Sequence, residues 1–308
     1  MAMQPFSMYA CASLLATFAA LPHKAEAYVR AKAQENQETY LYWPTRNLSY
    51  ILNEEGCASV PLPETLGAIK RSFFSWASPS CTDLSFSFGG KESVQKTNLT
   101  LAEGERSDQR NLIVWRNREW PPPGVTDATV TKDMPAVTSV IYEENTGIIL
   151  DADMDLNGHD FSWTVTDDTT AASTDIQNIL THEIGHFLGL DHSPDQETTM
   201  YAKTGAGEMK KRTLAQDDID GLCFIYPFGQ ATPKGPGETP PSEDGAGGCQ
   251  LAAAPFCLWD VMTLAPLLLV LLRRPRGRGG VYPRPKTAAS RIDAGGHKVR
   301  PYYAARSY

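Results

Sequence analysis

Three histidines and one glutamate carry the first chemical argument in this chain of 308 residues; they lie in Leu180-Thr-His-Glu-Ile-Gly-His-Phe-Leu-Gly-Leu-Asp-His-Ser193. His182 and His186 stand four apart, so one helical turn brings both imidazoles to one face, where each can give a ring nitrogen to Zn²⁺ at about 2.0–2.1 Å. Gly189 is placed to end that helix in a left-handed conformation at little cost, and the returning chain would deliver His192 as the third ligand. Three protein ligands leave a fourth position for water. Glu183, adjacent to the first ligand, is placed to take a proton from that water, whose pKa the metal lowers toward about 7. A purely structural zinc site would use a fourth protein ligand and needs no base, so an intact Glu183 favours hydrolysis over the alternative, a non-catalytic, zinc-stabilised surface-binding protein.

The elements that must hold this group follow from periodicity. The pattern predicts strands over Asn47–Asn53, Asp83–Phe88 and Asn111–Trp115, and a hairpin in which Ala136–Tyr142 and Gly147–Asp153 flank the turn cluster Glu144–Gly147. Leu66, Ile69, Phe73, Phe74 and Trp76 recur at helical spacing within Glu64–Ala77. Asp175–Gly189 is a second expected helix, capped by Asp175 or Ser173, and Leu214–Ile225 is a third. Strand, helix, several strands and then two helices make an α+β domain.

Composition bounds the rest. A hydrophobic share of 42% with 21% charged residues excludes a wholly disordered chain and a multi-span membrane protein. Residues 28–228 hold 16 Lys and Arg against 30 Asp and Glu, a net of −14 that argues against nucleic acid as a partner, because phosphate binding needs a basic face. Residues 273–308 reverse the sign, with 10 basic groups and one acidic group, Asp293.

Four segments are expected. Residues 1–27 read as a signal peptide, with an apolar stretch Tyr9–Leu21 and an A-x-A pattern at Ala25–Ala27. Residues 28–228 form the catalytic domain, residues 229–248 a Gly/Pro-rich linker, and residues 249–308 an apolar segment with a basic tail. Leu251–Leu272 is long enough to span a bilayer and is followed by Arg273 and Arg274, which points to retention of a secreted protein at a membrane or cell surface. In an oxidising compartment Cys57, Cys81 and Cys223 would supply one disulfide and one remaining thiol, and the sequence does not choose among the pairings. A monomer is expected.

The zinc motif resembles that of the metzincin metallopeptidases, and within them the matrixins of bacterial type. The resemblance extends to Thr199-Met200-Tyr201, which looks like the Met-turn beneath the metal, to Ser193 after the third histidine, and to Leu214–Pro227, which looks like the closing helix. It implies a twisted, mostly parallel five-stranded sheet with an antiparallel edge strand and three helices. It also implies catalytic Zn²⁺ on His182, His186 and His192, Glu183 as the general base, and a protein or peptide substrate extended along the edge Ala136–Tyr142. Matrixins bind Ca²⁺ near the positions of Asp151 and Asp153; those two and Asp155 repel one another unless a cation or backbone amides satisfy them, and a solvated acidic edge is the alternative. Ile149 stands where a histidine of the family's structural zinc would be, so no second zinc is expected. The run from Gly247-Gly248-Cys249 through the apolar stretch to the arginines resembles the sorting tails processed by myxosortase-type enzymes. Matrixins are commonly held inactive by a propeptide cysteine on the metal; no Cys lies between Ala27 and Tyr40, so removal of the leader alone is expected to give an active enzyme.

Overall fold

The computed structural model of the protein describes residues 28–34, 38–102, 104–125, 127–167, 173–233, 291–293 and 296–306. The expected leader, most of the linker and the apolar stretch Leu251–Leu272 lie outside the described residues. Among the described residues no helix is long and apolar enough to cross a membrane.

The elements, in chain order, are β1 (Val29–Arg30), β2 (Asn47–Asn53), α1 (Leu62–Ala77), β3 (Ser85–Glu92), β4 (Leu112–Trp115), β5 (Ala136–Tyr142), β6 (Ile149–Leu156), β7 (Trp163–Thr164), β8 (Thr174–Asp175), α2 (Ile176–Phe187), β9 (Leu190–Asp191), β10 (Lys203–Thr204), α3 (Gln216–Ile225), β11 (Arg291–Ile292) and β12 (Lys298–Arg306). The main sheet runs β10-β12-β5-β6-β4-β2-β3, and β11 pairs with β12 at its margin. From β3 through β2 and β4 to β6 every pairing is parallel. Beyond β6 the sheet changes character: β5 is antiparallel to β6, and β12 is antiparallel to β5.

The sheet departs from expectation in two respects. The sheet has eight strands and is mixed, not five-stranded and mostly parallel. Strand β5 is not the edge either, because β12 pairs with it residue by residue from Tyr142↔Lys298 to Ala136↔Ala304. The physical reason is the row of unsatisfied N–H and C=O groups that an edge strand presents, which a second strand can satisfy wherever in the sequence it arises. No local periodicity announces such a pairing.

Burial explains the rest. Every residue of β4 and of β5 is buried, as expected for strands covered on both faces. Helix α1 turns Thr65, Ala68, Ile69, Ser72, Phe73 and Trp76 inward, a stripe at spacings of three and four that packs on α2. In α2 only Gln177 escapes full burial, so this helix is central rather than amphipathic. Asp175 caps it by accepting from the amide of Asn178 at 2.7 Å, and Arg212 fixes the same carboxylate. The disulfide joins Cys81, just beyond α1, to Cys223 in α3, across a sequence separation of 142 residues. Cys57 is buried and remains a free thiol.

Candidate active site

Helix α2 places His182, Glu183 and His186 in the interior, all three fully buried. The turn that follows is built around Gly189, whose φ of +90° is the left-handed conformation the sequence called for. A side chain there would also run into the carbonyl oxygen of Leu41, 2.4 Å from an ideal Cβ, so glycine is required twice over. The chain then returns through β9 and delivers His192. The Nε2 atoms of His182 and His192 each lie 3.2 Å from Nε2 of His186.

That convergence needs a chemical explanation. Nδ1 of His182 donates to the carbonyl of Thr199 at 2.7 Å, and Nδ1 of His186 donates to the carbonyl of Leu190 at 2.9 Å. A carbonyl accepts only, so both rings carry their proton on Nδ1 and turn an Nε2 lone pair toward the common centre. Burial, reinforced by the charge of Lys211 and by His186 and His192, holds His182 well below the usual histidine range, so its ring is neutral. Lone pairs facing one another at this distance are repulsive without a cation. Ligand atoms about 2.0–2.1 Å from a tetrahedral ion lie about 3.3–3.4 Å apart, close to the spacing seen here. Among the described residues these three histidines are the group gathered at metal-ligand spacing, and the donor set fits zinc.

Glu183 follows His182 on the same buried helix. Its Oε2 accepts from the hydroxyl of Thr138 on β5, while Oε1 is buried without a hydrogen-bond partner. Burial pushes this carboxyl up to about 8, against the opposing pull of the Thr138 hydroxyl and the Lys211 charge. Thr138 was not singled out by the sequence; a threonine in an apolar strand gives no signal until the strand is laid against the helix. Thr138→Val is expected to lower kcat about 10- to 100-fold, the worth of one hydrogen bond to a charged group, with KM and zinc content little changed. Thr138→Ser should restore the rate, and an unchanged kcat in the valine variant would remove Thr138 from the site.

Met200, in the segment that resembles a Met-turn, packs on the helix that carries His182 and His186. It packs against Gly185 so closely that an ideal Cβ on that glycine would lie 2.1 Å from the methionine sulfur. Asp218, buried in α3, holds the turn by accepting from the amides of Thr199 at 2.8 Å and Met200 at 3.0 Å. Thr199 in turn orients His182, so Asp218 acts on that ring through one intermediary. Lys211 is a further residue that sequence reading passes over. Its ammonium, fully buried, donates to the carbonyl of Tyr201 at 2.6 Å and to the Thr204 hydroxyl at 2.9 Å, fixing the segment that forms one wall.

The acidic trio is placed differently from the histidines. Asp151, Asp153 and Asp155 are buried, not a solvated edge. Asp153 accepts from the amides of Asn98 and Leu112, at 2.8 and 2.7 Å. Asp155 meets the Arg116 guanidinium at 2.6 Å, and Asp151 accepts from the Ser107 hydroxyl. Donors therefore face all three. Backbone amides, the Ser107 hydroxyl and Arg116 meet part of this charge, while Asp151 Oδ1 and Asp155 Oδ2 are buried without a hydrogen-bond partner.

Comparison with known proteins agrees with this geometry. The family model described as Matrixin (Peptidase_M10) matches residues 139–227, the stretch from β5 to just past α3. Over 164 residues the chain is 29% identical to matrix metalloproteinase-27 of Tupaia belangeri, covering 45% of this chain and 30% of that protein. It is 38% identical over 81 residues to the neutrophil collagenase of Homo sapiens, covering 24% of this chain and 16% of that one. It is 36% identical over 72 residues to metalloendoproteinase 2-MMP of Arabidopsis thaliana, covering 22% and 19%. The chain thus spans less than a third of the length of each of these relatives. Over residues 139–227 the chain is matrixin-like, and the mixed sheet and three helices of the described residues as a whole are compatible with an α+β metzincin fold.

Proposed function

We propose that this protein is a zinc-dependent metalloendopeptidase. The observation that carries the proposal is the convergence of three imidazole nitrogens beside a buried glutamate whose second oxygen is unpaired. His182, His186 and His192 would hold the ion, which when bound supplies a Lewis acid for the scissile carbonyl and lowers the pKa of a water. The chain's own residues do the remainder. Glu183 Oε1 takes the proton from that water and passes it to the leaving amine, while Thr138 holds the carboxylate in place through Oε2. The Thr199 and Leu190 carbonyls keep two imidazoles in the ligating tautomer, and Met200 packs against Gly185 on the same helix.

The reading extends to location. A disulfide between Cys81 and Cys223 suits an oxidising compartment, which supports secretion. Surface retention through Leu251–Leu272, or processing of that tail, is proposed on the sequence pattern alone.

Peptide-library digestion with the full chain tests the activity. Cleavage should appear with one zinc per chain, vanish with a chelator and return on adding Zn²⁺. Protein that binds no zinc, or cleavage indifferent to the chelator, would overturn the proposal.

A further inference from the structure

Strand β12 lies in a special position. It runs antiparallel to β5 along the whole of Ala136–Tyr142, and its last residues pair in parallel with β10, Lys203↔Ala305 and Thr204↔Arg306. β10 follows the turn that carries Met200, in the wall fixed by Lys211, and β12 also touches α2. Tyr302 pairs with Thr138, the residue whose hydroxyl holds Glu183. The backbone of β12 therefore crosses between the two walls of the site, at the level of the general base. An extended peptide augmenting the β5 edge would need this same row of backbone groups.

We propose that residues Lys298–Arg306 act in cis as a pseudosubstrate strand that occupies the cleft of the intact chain and suppresses its peptidase activity. The inference rests on the metallopeptidase reading above. Three further observations support it. Val299 is buried in an apolar cluster with Leu101 and Ile141, against which Leu150 packs, so the segment is anchored as well as paired. Lys298 bonds to Glu144 on the loop beyond β5. The nine residues carry Lys298, Arg300 and Arg306 and no acidic group, opposite a domain of net charge −14 over residues 28–228. A strand of the same chain also competes at an effective concentration that a free peptide must exceed. Loss of a leader is then not sufficient for full activity. Displacement or cutting of the strand is also required.

The test compares the zinc-loaded full chain with two variants, Val299→Asp, which places a carboxylate in the apolar anchor, and Lys298→Glu, which sets like charges against Glu144. Two readouts are taken: amide hydrogen exchange over Val137–Tyr142, which needs no activity, and kcat/KM on a peptide found by library digestion. Exchange at that edge at least tenfold faster and kcat/KM at least tenfold higher are expected in Val299→Asp, with smaller changes in the same direction for Lys298→Glu. A synthetic peptide of sequence Lys298–Arg306 added to Val299→Asp should inhibit competitively. Unchanged exchange in both variants, or unchanged kcat/KM in protein that does cleave, would overturn the inference. Faster exchange with no zinc-dependent cleavage by any of the three proteins would instead overturn the peptidase reading and leave β12 as a covering strand without an inhibitory role.

Discussion

Protein carrying Glu183→Gln is expected to bind zinc as the wild type does and to hydrolyse peptides roughly 10²–10⁴-fold more slowly, the range lost with a general base. Glutamine keeps the shape of the side chain and can still accept from the Thr138 hydroxyl, so the fold and the three histidines should be undisturbed. It cannot take a proton. His186→Ala separates the two roles, because it removes the central ligand, 3.2 Å from each of the others, and zinc should be lost together with activity. Metal content by elemental analysis and kcat/KM, measured on both variants, decide the matter. Glu183→Gln turning over within a few-fold of wild type with zinc bound would sink the mechanism.

The second large effect concerns stability. The bond between Cys81 and Cys223 bridges a sequence separation of 142 residues, and in the chain-entropy account a loop of that size contributes about 5 kcal/mol by restricting the unfolded state. A domain holds only about 5–15 kcal/mol in total. The double variant Cys81→Ser/Cys223→Ser is therefore expected to melt about 10–20 °C lower, at about 2–4 °C per kcal/mol for a domain of this size. Cys57→Ser, at a buried free thiol, should not approach that loss. The comparison is a calorimetric scan of the two variants beside wild type; equal melting temperatures would show that the bond is absent in solution or that its constraint is met in other ways. The same cross-link ties the end of α1 to α3, whose Asp218 holds the Met200 turn, so partial unfolding there should also loosen the metal site.

Much of this molecule could be read in one dimension wherever the responsible interactions are local. The ligand triad is an example: a four-residue helical step and one glycine turn fix where His182, His186 and His192 can go, and the structure brings them together as expected. The β5–β6 hairpin and the three helices likewise follow from periodicity and turn chemistry, with boundaries displaced by only a few residues. The disulfide was different, because three cysteines allow three pairings and only the approach of the end of α1 to α3 selects Cys81–Cys223. Thr138 and Lys211 were invisible for a related reason. A hydroxyl in an apolar strand and a lysine in a basic run acquire meaning only through the partners that burial gives them, Glu183 in one case and the Tyr201–Thr204 wall in the other.

The acidic trio shows how tertiary structure can change the meaning of a pattern that the sequence displays openly. Alternating aspartates suggested a cation or a wet edge; folding buried them, which removes the wet edge, and set amides, a hydroxyl and Arg116 against them. The order of the sheet was decided at still longer range. Residues Lys298–Arg306 are more than 150 positions from β5, in what the sequence offers only as a basic tail. Pairing between strands is made by backbone groups common to all residues except proline, so sequence encodes it weakly and proximity in the folded chain decides it. The sequence by itself thus determined the chemistry available at the helix that carries His182, Glu183 and His186, because ligation needs particular side chains at particular steps. Only the tertiary structure decided what lies across that chemistry, because the covering strand is held largely by its main chain.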